Sequence, residues 1–160
     1  MSMTIRKYPE PVLQKKARDV GSIGREEKSF LSDMKRHMHA SGGIGLAAPQ
    51  VGVSRRMIVV NNGEEDIAMV NPRIISKRGR SVMEEGCLSV PQKAVRVKRA
   101  GSVIVSYTDE EGKRAQREFK GLAAHVVQHE IDHLNGKLIL DHISWYRKIF
   151  TKKGKGKCQT

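Results

Sequence analysis

The segment 129–133, with the sequence His-Glu-Ile-Asp-His, constrains this chain more than any other segment does. Two histidines four residues apart share one face of an α-helix, so both imidazoles can bind one metal ion. Glu130 follows the first histidine, where its carboxylate can lie beside a water at the metal and take its proton. We therefore predict a helix that carries a metal site. A solvated helix with two ordinary histidines is the alternative.

The periodicity of the sequence supports this helix. One helical stripe is formed by Leu122, Val126, His129 and His133. Gly121 precedes the run and Asn135-Gly136 follows it, which is typical of a permissive start and a left-handed C-terminal stop. The sequence thus predicts a helix of roughly four turns that partly faces the core.

Two histidines do not complete a catalytic metal site, which usually has three protein ligands and an open position for water. No glutamate follows Glu130, and Ile139 stands where a third downstream histidine would be needed. Asp141 and His142 are weak downstream candidates. Cys87 is a better one, because a thiolate is a strong soft ligand that metal binding deprotonates at neutral pH. A lone cysteine can also be an inert buried residue, so this ligand is a hypothesis.

A glycine-rich segment lies at residues 42–52. Three glycines within four residues suit a backbone that approaches a ligand closely or adopts positive φ. The segment matches neither a phosphate loop nor GxGxxG, since no Lys-Ser/Thr follows and Ala48 occupies the last glycine position. Gln50 can donate a side-chain N–H to a developing oxyanion. A surface-loop glutamine is the alternative interpretation.

Three segments together resemble the signature segments of the peptide deformylases: residues 43–50, 85–89 and 128–133. They occur in the order and with the spacing of that family. Residues 5–13 and 70–72 are also similar to bacterial members. The family removes formyl groups from the N-terminal methionine of nascent chains. The resemblance therefore implies a metal-dependent amide hydrolase that acts on N-formylmethionyl peptides.

The resemblance also implies a role for each matching residue. The metal ligands would be Cys87, His129 and His133. Glu130 would take a proton from water and deliver it to the leaving amine. The Gln50 side chain and the Leu88 backbone N–H would stabilise the negative charge on the formyl oxygen.

The substrate-binding residues follow from the same resemblance. Gly45 and Gly86 would hold the peptide backbone as an added strand. An apolar slot for methionine would be formed by Ile44, Leu122 and Val126. Burial of the thioether there would contribute roughly 2 kcal/mol. These three residues can equally be read as ordinary core residues.

The surroundings of the site give further expectations. We expect Arg99 to pair with Asp132 and so brace the site, with a surface charge pair as the alternative. His125, one turn before His129, is expected at the edge of the cleft rather than as a fourth ligand. His37 and His39 are expected to be solvated, and His142 to be structural. Many relatives carry an arginine near Ala94 and a proline at Lys98, a departure that concerns peptide contacts beyond the first residue.

The ligand set does not by itself identify the metal. Cysteine and two histidines suit Zn²⁺, which binds more tightly than ferrous iron in the general order of affinities. The resemblance nevertheless implies one divalent ion per chain, with Fe²⁺ as the native ion. Zn²⁺, Ni²⁺ or Co²⁺ can occupy the same site.

Length and composition place the chain among single-domain proteins. Its 160 residues are enough for one domain with a real core. The two cysteines, Cys87 and Cys158, do not suggest a disulfide framework. There is no apolar run of about 18 residues and no apolar signal region at the N-terminus. We therefore expect a cytoplasmic protein with no membrane partner.

The pattern of elements predicts an α+β fold, a single compact domain in which antiparallel β-sheets pack around a central metal-binding helix. Besides that helix, helices are expected at residues 11–16 and 25–39. Strands are expected at residues 57–60, 69–76, 81–84, 95–98, 103–107 and 115–119, with the last two forming a hairpin around residues 109–112. An apolar turn is expected at residues 138–140.

Basic residues are concentrated at the C-terminus. The formal net charge is +13, and no acidic residue follows Asp141. We expect a catalytic domain at residues 1–146 and a basic tail at residues 147–160, whose last residues have too few apolar groups to order themselves. The tail either contacts ribosomal RNA near the site where nascent chains emerge or acts only as a solubilising extension.

The sequence leaves two other function classes open. A metallopeptidase of the HExxH type would cut internal peptide bonds with the same chemistry, but the intact glycine and cysteine segments argue against it. A basic RNA-binding protein with a structural metal would not need Glu130 or an open coordination position. Peptide deformylase is the predicted function that accounts for all three segments.

Overall fold

Seven strands and two α-helices form the fold of residues 2–143, which are the residues that the computed structural model describes. The helices are α1 (Arg25–Ala40) and α2 (Gly121–Leu134). The strands are β1 (Gly45–Ala47), β2 (Met57–Asn61), β3 (Asp66–Arg78), β4 (Ser81–Cys87), β5 (Val90–Arg99), β6 (Ser102–Thr108) and β7 (Arg114–Lys120). Single 3₁₀ turns lie at Pro11–Gln14, Ala48–Val51 and Ile139–His142.

Two antiparallel sheets organise these strands. One sheet has five strands in the order β1-β2-β3-β6-β7, and β4 and β5 form a separate two-stranded sheet. The helix α2 packs against β1, β2 and β7. The prediction of an α+β domain with antiparallel sheets around the metal-binding helix is confirmed.

The apolar run of β2 explains why helices cover both faces of the large sheet. Ile58 and Val60 belong to a core cluster that they share with α2. Met57 and Val59 belong to a second cluster with residues of α1. Because successive side chains of a strand point to opposite faces, a strand that is buried on both sides has no polar alternation. This arrangement fixes α2 over one face of the sheet.

Glycines mark both ends of α2. Gly121 has φ +58° and forms the corner at which β7 passes directly into the helix. Gly136 has φ +74°, and its N–H donates to the His133 carbonyl oxygen at 3.1 Å. The expected left-handed stop is therefore confirmed. The length of α2 also agrees with the predicted helix of roughly four turns, since α2 ends one residue after His133.

The structure corrects some of the predicted elements. The expected helix at residues 11–16 is a 3₁₀ turn that ends at Gln14. The glycine-rich segment, for which no helix or strand was predicted, contains the short strand β1 and a 3₁₀ turn. The remaining predicted strands are present, and most are longer than expected; β3 begins three residues earlier and ends two residues later.

No helix among residues 2–143 is long and apolar enough to cross a membrane. The predicted basic tail, residues 147–160, and its boundary after residue 146 lie outside the described residues.

Candidate active site

The three predicted metal ligands come together from two elements. Cys87 is the last residue of β4, and the two histidines lie one turn apart on α2. The Cys87 Sγ is 3.4 Å from the His133 Nε2, which is 3.2 Å from the His129 Nε2. Metal–ligand bonds of about 2.0 to 2.3 Å at tetrahedral angles place neighbouring ligand atoms about 3.3 to 3.8 Å apart. The donor set and its spacing therefore fit one metal ion.

The electrostatic environment of the two imidazoles also fits a cation. Burial holds the pKa of His133 well below its usual value, so this ring is neutral, as a metal ligand must be. Burial also opposes protonation of His129, but Cys87 and the carboxylates of Glu85 and Glu130 outweigh it and raise the pKa to about 10. Without a metal, His129 would therefore carry a proton near neutral pH, and a divalent cation bound to this ring would replace that proton.

A buried ion network lies behind His129. The Glu85 Oε1 is 3.4 Å from the His129 Nδ1. The Arg99 Nε donates to both Glu85 oxygens at 2.9 Å, and its Nη1 donates to Asp132 at 2.8 Å. The predicted Arg99–Asp132 pair is therefore confirmed, and it is not a simple surface pair, because Arg99 is buried and Asp132 is half-buried. His142 also contacts Asp132, at 2.9 Å, in keeping with a structural role.

Sequence reasoning missed Glu85. Burial disfavours its charged form, but the contacts with His129 and Arg99 outweigh burial and lower the pKa of this carboxyl. A carboxylate against the second nitrogen of a ligating imidazole fixes the orientation and tautomer of the ring. The signal in the sequence was the position of Glu85, two residues before the predicted ligand Cys87.

Glu130 is buried at the floor of the cleft, with only 4% of its surface exposed. Burial raises the pKa of this carboxyl to about 7. Its Oε2 has no hydrogen-bond partner within the part of the chain that is described. A Cβ atom on Gly45 would lie 2.8 Å from the Val126 Cγ1 and closer still to the Glu130 carboxylate. The glycine thus leaves the space that the carboxylate occupies.

Gln50 is held with its amide N–H groups toward the cysteine. Its Oε1 accepts a hydrogen bond from the Ala47 N–H at 2.9 Å. Its Nε2 lies 3.7 Å from the Cys87 Sγ and 3.4 Å from the Ser89 Oγ. Because Gln50 is only 2% exposed, the alternative of a surface-loop glutamine is wrong. Leu88 follows Cys87 in the turn between β4 and β5 and also lines the cleft.

A cleft with a volume of about 450 Å³ opens above these groups. Its walls include all five predicted substrate-binding residues: Ile44, Gly45, Gly86, Leu122 and Val126. Ile44 and Leu122 are 46% and 59% exposed, so they form the rim of the cleft rather than its core. Val126 is buried beneath them. The reading of all three as ordinary core residues is therefore wrong for the two at the rim.

The other histidines differ in part from the sequence expectations. His125 lines the cleft but is 1% exposed, so it is a buried residue and not one at the edge. It is absent from the ligand cluster. His39 is exposed, as expected, and pairs with Asp66 at 2.7 Å. The Nε2 of His37 is buried against neighbouring groups, so this residue is not simply solvated.

A half-buried cysteine clustered with two buried histidines, beside a buried glutamate at an open cleft, is typical of a metal-dependent hydrolase. The family model described as polypeptide deformylase matches residues 2–148. The peptide deformylase of Thermodesulfovibrio yellowstonii is 44% identical over 161 residues, which cover 97% of this chain and 98% of that protein. That of Dictyoglomus turgidum is 48% identical over 141 residues, 88% of this chain and 92% of its own length.

Solved structures give the same result. The crystal structure of peptide deformylase from Thermotoga maritima superimposes with a TM-score of 0.87 at 41% identity, covering 90% of this chain and 99% of that one. The enzyme from Ehrlichia chaffeensis, solved in complex with actinonin, gives a TM-score of 0.89 at 32% identity, covering 99% and 100%. The chain belongs to the polypeptide deformylase family, and its function is removal of the N-formyl group from nascent polypeptides. The metallopeptidase and RNA-binding classes are thereby set aside as its primary function.

Proposed function

We propose that Cys87, His129 and His133 bind the metal with which this chain hydrolyses formyl-methionyl peptides. The observation that carries the proposal is the placement of Glu130, a buried carboxylate that lines the same cleft as Cys87 and His129, while His133 completes the cluster of three donor atoms. When bound, the metal would supply Lewis acidity that activates water and polarises the formyl group. The chain's own residues then bind the substrate and move the proton.

Glu130 is proposed as the group that moves the proton. Burial raises its pKa to about 7, so the carboxylate can accept a proton and release it again near neutral pH. Its proton would come from the attacking water and pass to the amine that leaves as the amide bond breaks. Gly45 allows the carboxylate to occupy this position, because a side chain at residue 45 would collide with it.

Gln50 and Leu88 are proposed to stabilise the negative charge that develops on the formyl oxygen. The Ala47 N–H fixes the carbonyl side of the Gln50 amide, so the NH₂ group faces the cleft near Cys87. The Leu88 backbone N–H directly follows the cysteine ligand. A preorganised donor of this kind contributes about 100- to 1,000-fold in rate.

The substrate is proposed to enter as an added strand. β1 is an edge strand of the large sheet, and Gly45 begins it; Gly86 lies near the end of β4 on the other side of the cleft. A peptide between these edges would use main-chain hydrogen bonds for affinity. Its methionine would enter the apolar slot of Ile44, Leu122 and Val126. We expect actinonin, which the Ehrlichia chaffeensis enzyme binds, to compete for the same cleft.

We propose Fe²⁺ as the native ion, with Zn²⁺, Ni²⁺ and Co²⁺ able to replace it. The support is the resemblance to iron-dependent members of the family, because the ligands alone also suit zinc. The test is to compare kcat/KM of forms loaded with Fe²⁺ and with Zn²⁺ in the absence of oxygen. A zinc form as fast as the iron form would contradict the proposal.

We further propose that residues 1–146 are the catalytic domain, that residues 147–160 are a basic tail, and that the enzyme works in the cytoplasm. The family model ends close to this boundary, at residue 148. The six basic residues of the tail would contact ribosomal RNA. Replacing all six with glutamine should weaken ribosome binding and its salt dependence, and unchanged binding would contradict the tail's role.

The main experiment measures formate release from a formyl-Met tripeptide by anaerobically metallated protein, beside Glu130→Ala. Fast formate release with intact peptide bonds, lost in the variant despite full metal content, is the expected result. Glu84→Ala, an exposed carboxylate at the rim of the same cleft, serves as the matched control. Formate release that survives Glu130→Ala would contradict the role of this residue.

A further inference from the structure

A second groove, with a volume of about 650 Å³, lies against a different face of α2 from the active-site cleft. Ile131 and Asn135 line the groove, whereas Val126 and His129 line the cleft. These two pairs point in different directions around the helix. The groove is therefore separate from the space that receives the substrate.

Positive charge from four parts of the chain converges on this groove. Lys77 comes from the end of β3, Arg80 from the turn that follows, Lys98 from β5 and Lys137 from the segment after α2. All four are exposed. None of them forms an ion pair with another of the residues 2–143, whereas many other basic residues of the fold do, such as Arg55, Arg56 and Arg117.

The groove has little negative charge to offset these cations. Among residues 2–143, Asp132 is the one acidic residue that lines it, and this carboxylate already pairs with Arg99 at 2.8 Å and contacts His142 at 2.9 Å. Four unpaired cations around a concave surface form a site for a polyanion rather than for a single small anion. The described chain ends at Ile143, directly after His142 in the groove wall, and the six basic residues of the tail follow.

We propose that this groove binds the phosphate backbone of RNA. Lysine and arginine contacts of this kind position a nucleic acid without reading its sequence. A lipid surface fits less well, because membrane-binding faces also insert exposed apolar side chains. The exposed large apolar residues of the described part are Tyr8, Ile44, Ile75, Val82 and Leu122, and none of them lines the groove. The choice of RNA rests in part on the proposed function, since nascent chains are held by RNA-rich ribosomes.

The test compares two full-length variants with the same loss of charge. The groove variant carries Lys77→Gln, Arg80→Gln and Lys137→Gln. The control carries Arg25→Gln, Lys113→Gln and Arg114→Gln, which are exposed and lie outside the groove. Binding of a fluorescein-labelled RNA hairpin is measured by anisotropy between about 50 and 200 mM salt. Formate release and thermal unfolding of the same preparations report on the enzyme and on its fold.

We expect the groove variant to bind the RNA about tenfold or more weakly, with a salt slope reduced by about 2 to 3, since each phosphate contact contributes about 0.7 to 0.9. The control should bind like the parent protein. Equal weakening of both variants would overturn the proposal, because it would show an effect of net charge alone. The proposal would also be overturned if the groove variant lost binding to phosphatidylcholine–phosphatidylglycerol vesicles but kept its binding to RNA. Loss of formate release in the parent would contradict the proposed function and not the groove.

Discussion

The carboxylate of Glu130 occupies the space that a side chain on Gly45 would need. A Cβ atom at residue 45 would lie 2.8 Å from the Val126 Cγ1 and nearer still to the Glu130 oxygen. The edge strand β1 and the helix α2 therefore approach each other as closely as they do because this residue is glycine. The closeness links β1, the strand proposed to bind the substrate, directly to the position of the proposed proton acceptor.

Gly45→Ala should therefore impair catalysis more than folding. The methyl group would push the Glu130 carboxylate away from its place, and a displacement of about 1 Å can cost about 100-fold in rate. We expect a fall in kcat of that order with nearly normal metal content, measured by formate release and metal analysis. Gly21→Ala is the control, because nothing lies within 4 Å of a Cβ at that residue. Equal rates for the two variants would contradict the proposed role of Gly45.

Glu85→Gln should weaken metal binding rather than substrate binding. The Glu85 carboxylate lies 3.4 Å from the His129 Nδ1 and helps to orient this proposed ligand. Loss of such a partner typically reduces metal affinity by about 10- to 100-fold. Competition with a chelator measures the effect. Glu84→Gln, its exposed neighbour on β4, should leave metal affinity unchanged, and equal affinities of both variants would refute the expectation.

The sequence predicted the histidine pair and the central helix because both depend on short-range spacing. His129 and His133 are one turn apart on any regular helix, so the chemistry of this pair could be read before the fold was known. Cys87 stays a predicted ligand, and the structure supports it by placing its Sγ 3.4 Å from the His133 Nε2. The role of Glu85 depends on how β4 packs against α2, and no local pattern in the sequence determines that packing.

The short strand β1 shows the same limit for secondary structure. Its three residues include one glycine and have little intrinsic preference for a strand. The strand exists because Leu46 pairs with Val59 of β2, a contact between residues far apart in sequence. The apolar run of β2 was predictable because a strand buried on both faces needs apolar residues at every position.

Arg99→Met should destabilise the protein strongly. It would leave Glu85 and Asp132 without their shared partner, and the side chains of Arg99 and Glu85 are only 5% and 9% exposed. Breaking a buried ion pair from one side costs about 3 to 5 kcal/mol. Urea unfolding measures the change in free energy of unfolding.

Arg117→Met is the control for this experiment. It breaks an exposed pair with Glu65, whose loss should cost about 1 kcal/mol or less. If the two variants lost the same stability, the network around Arg99 would not be the buried cluster that the distances indicate.

The ion pair of Glu27 and Arg55 should make stability depend on pH in the acidic range. The Arg55 guanidinium, together with the Gly24 N–H, lowers the pKa of Glu27 from 4.5 to about 2. Because the folded state holds the carboxylate ionised, this contribution is fully present above pH 4.5 and is lost as the pH falls towards 2.

Arg55→Met should therefore reduce stability most above about pH 4.5, and the difference from the parent should shrink as the pH falls to about 2. Urea unfolding at several pH values measures it. Arg25 lies on α1, the helix that carries Glu27, and forms no ion pair among the described residues. Arg25→Met should therefore show no such trend. A difference that stays constant from pH 7 to pH 2 would argue against the Glu27–Arg55 pair as its source.

Gly136→Ala should destabilise the C-terminal end of α2 through two separate effects. Its φ of +74° is unfavourable for any residue with a Cβ, at about 1 to 2 kcal/mol. The new Cβ would also lie 2.7 Å from the Gln14 carbonyl oxygen, a backbone atom that cannot move without the 3₁₀ turn at Pro11–Gln14. Gly112→Ala separates the two effects, because Gly112 has φ +84° but nothing within 4 Å. We expect Gly136→Ala to lose clearly more free energy of unfolding than Gly112→Ala, and equal losses would mean that the contact with residue 14 contributes nothing.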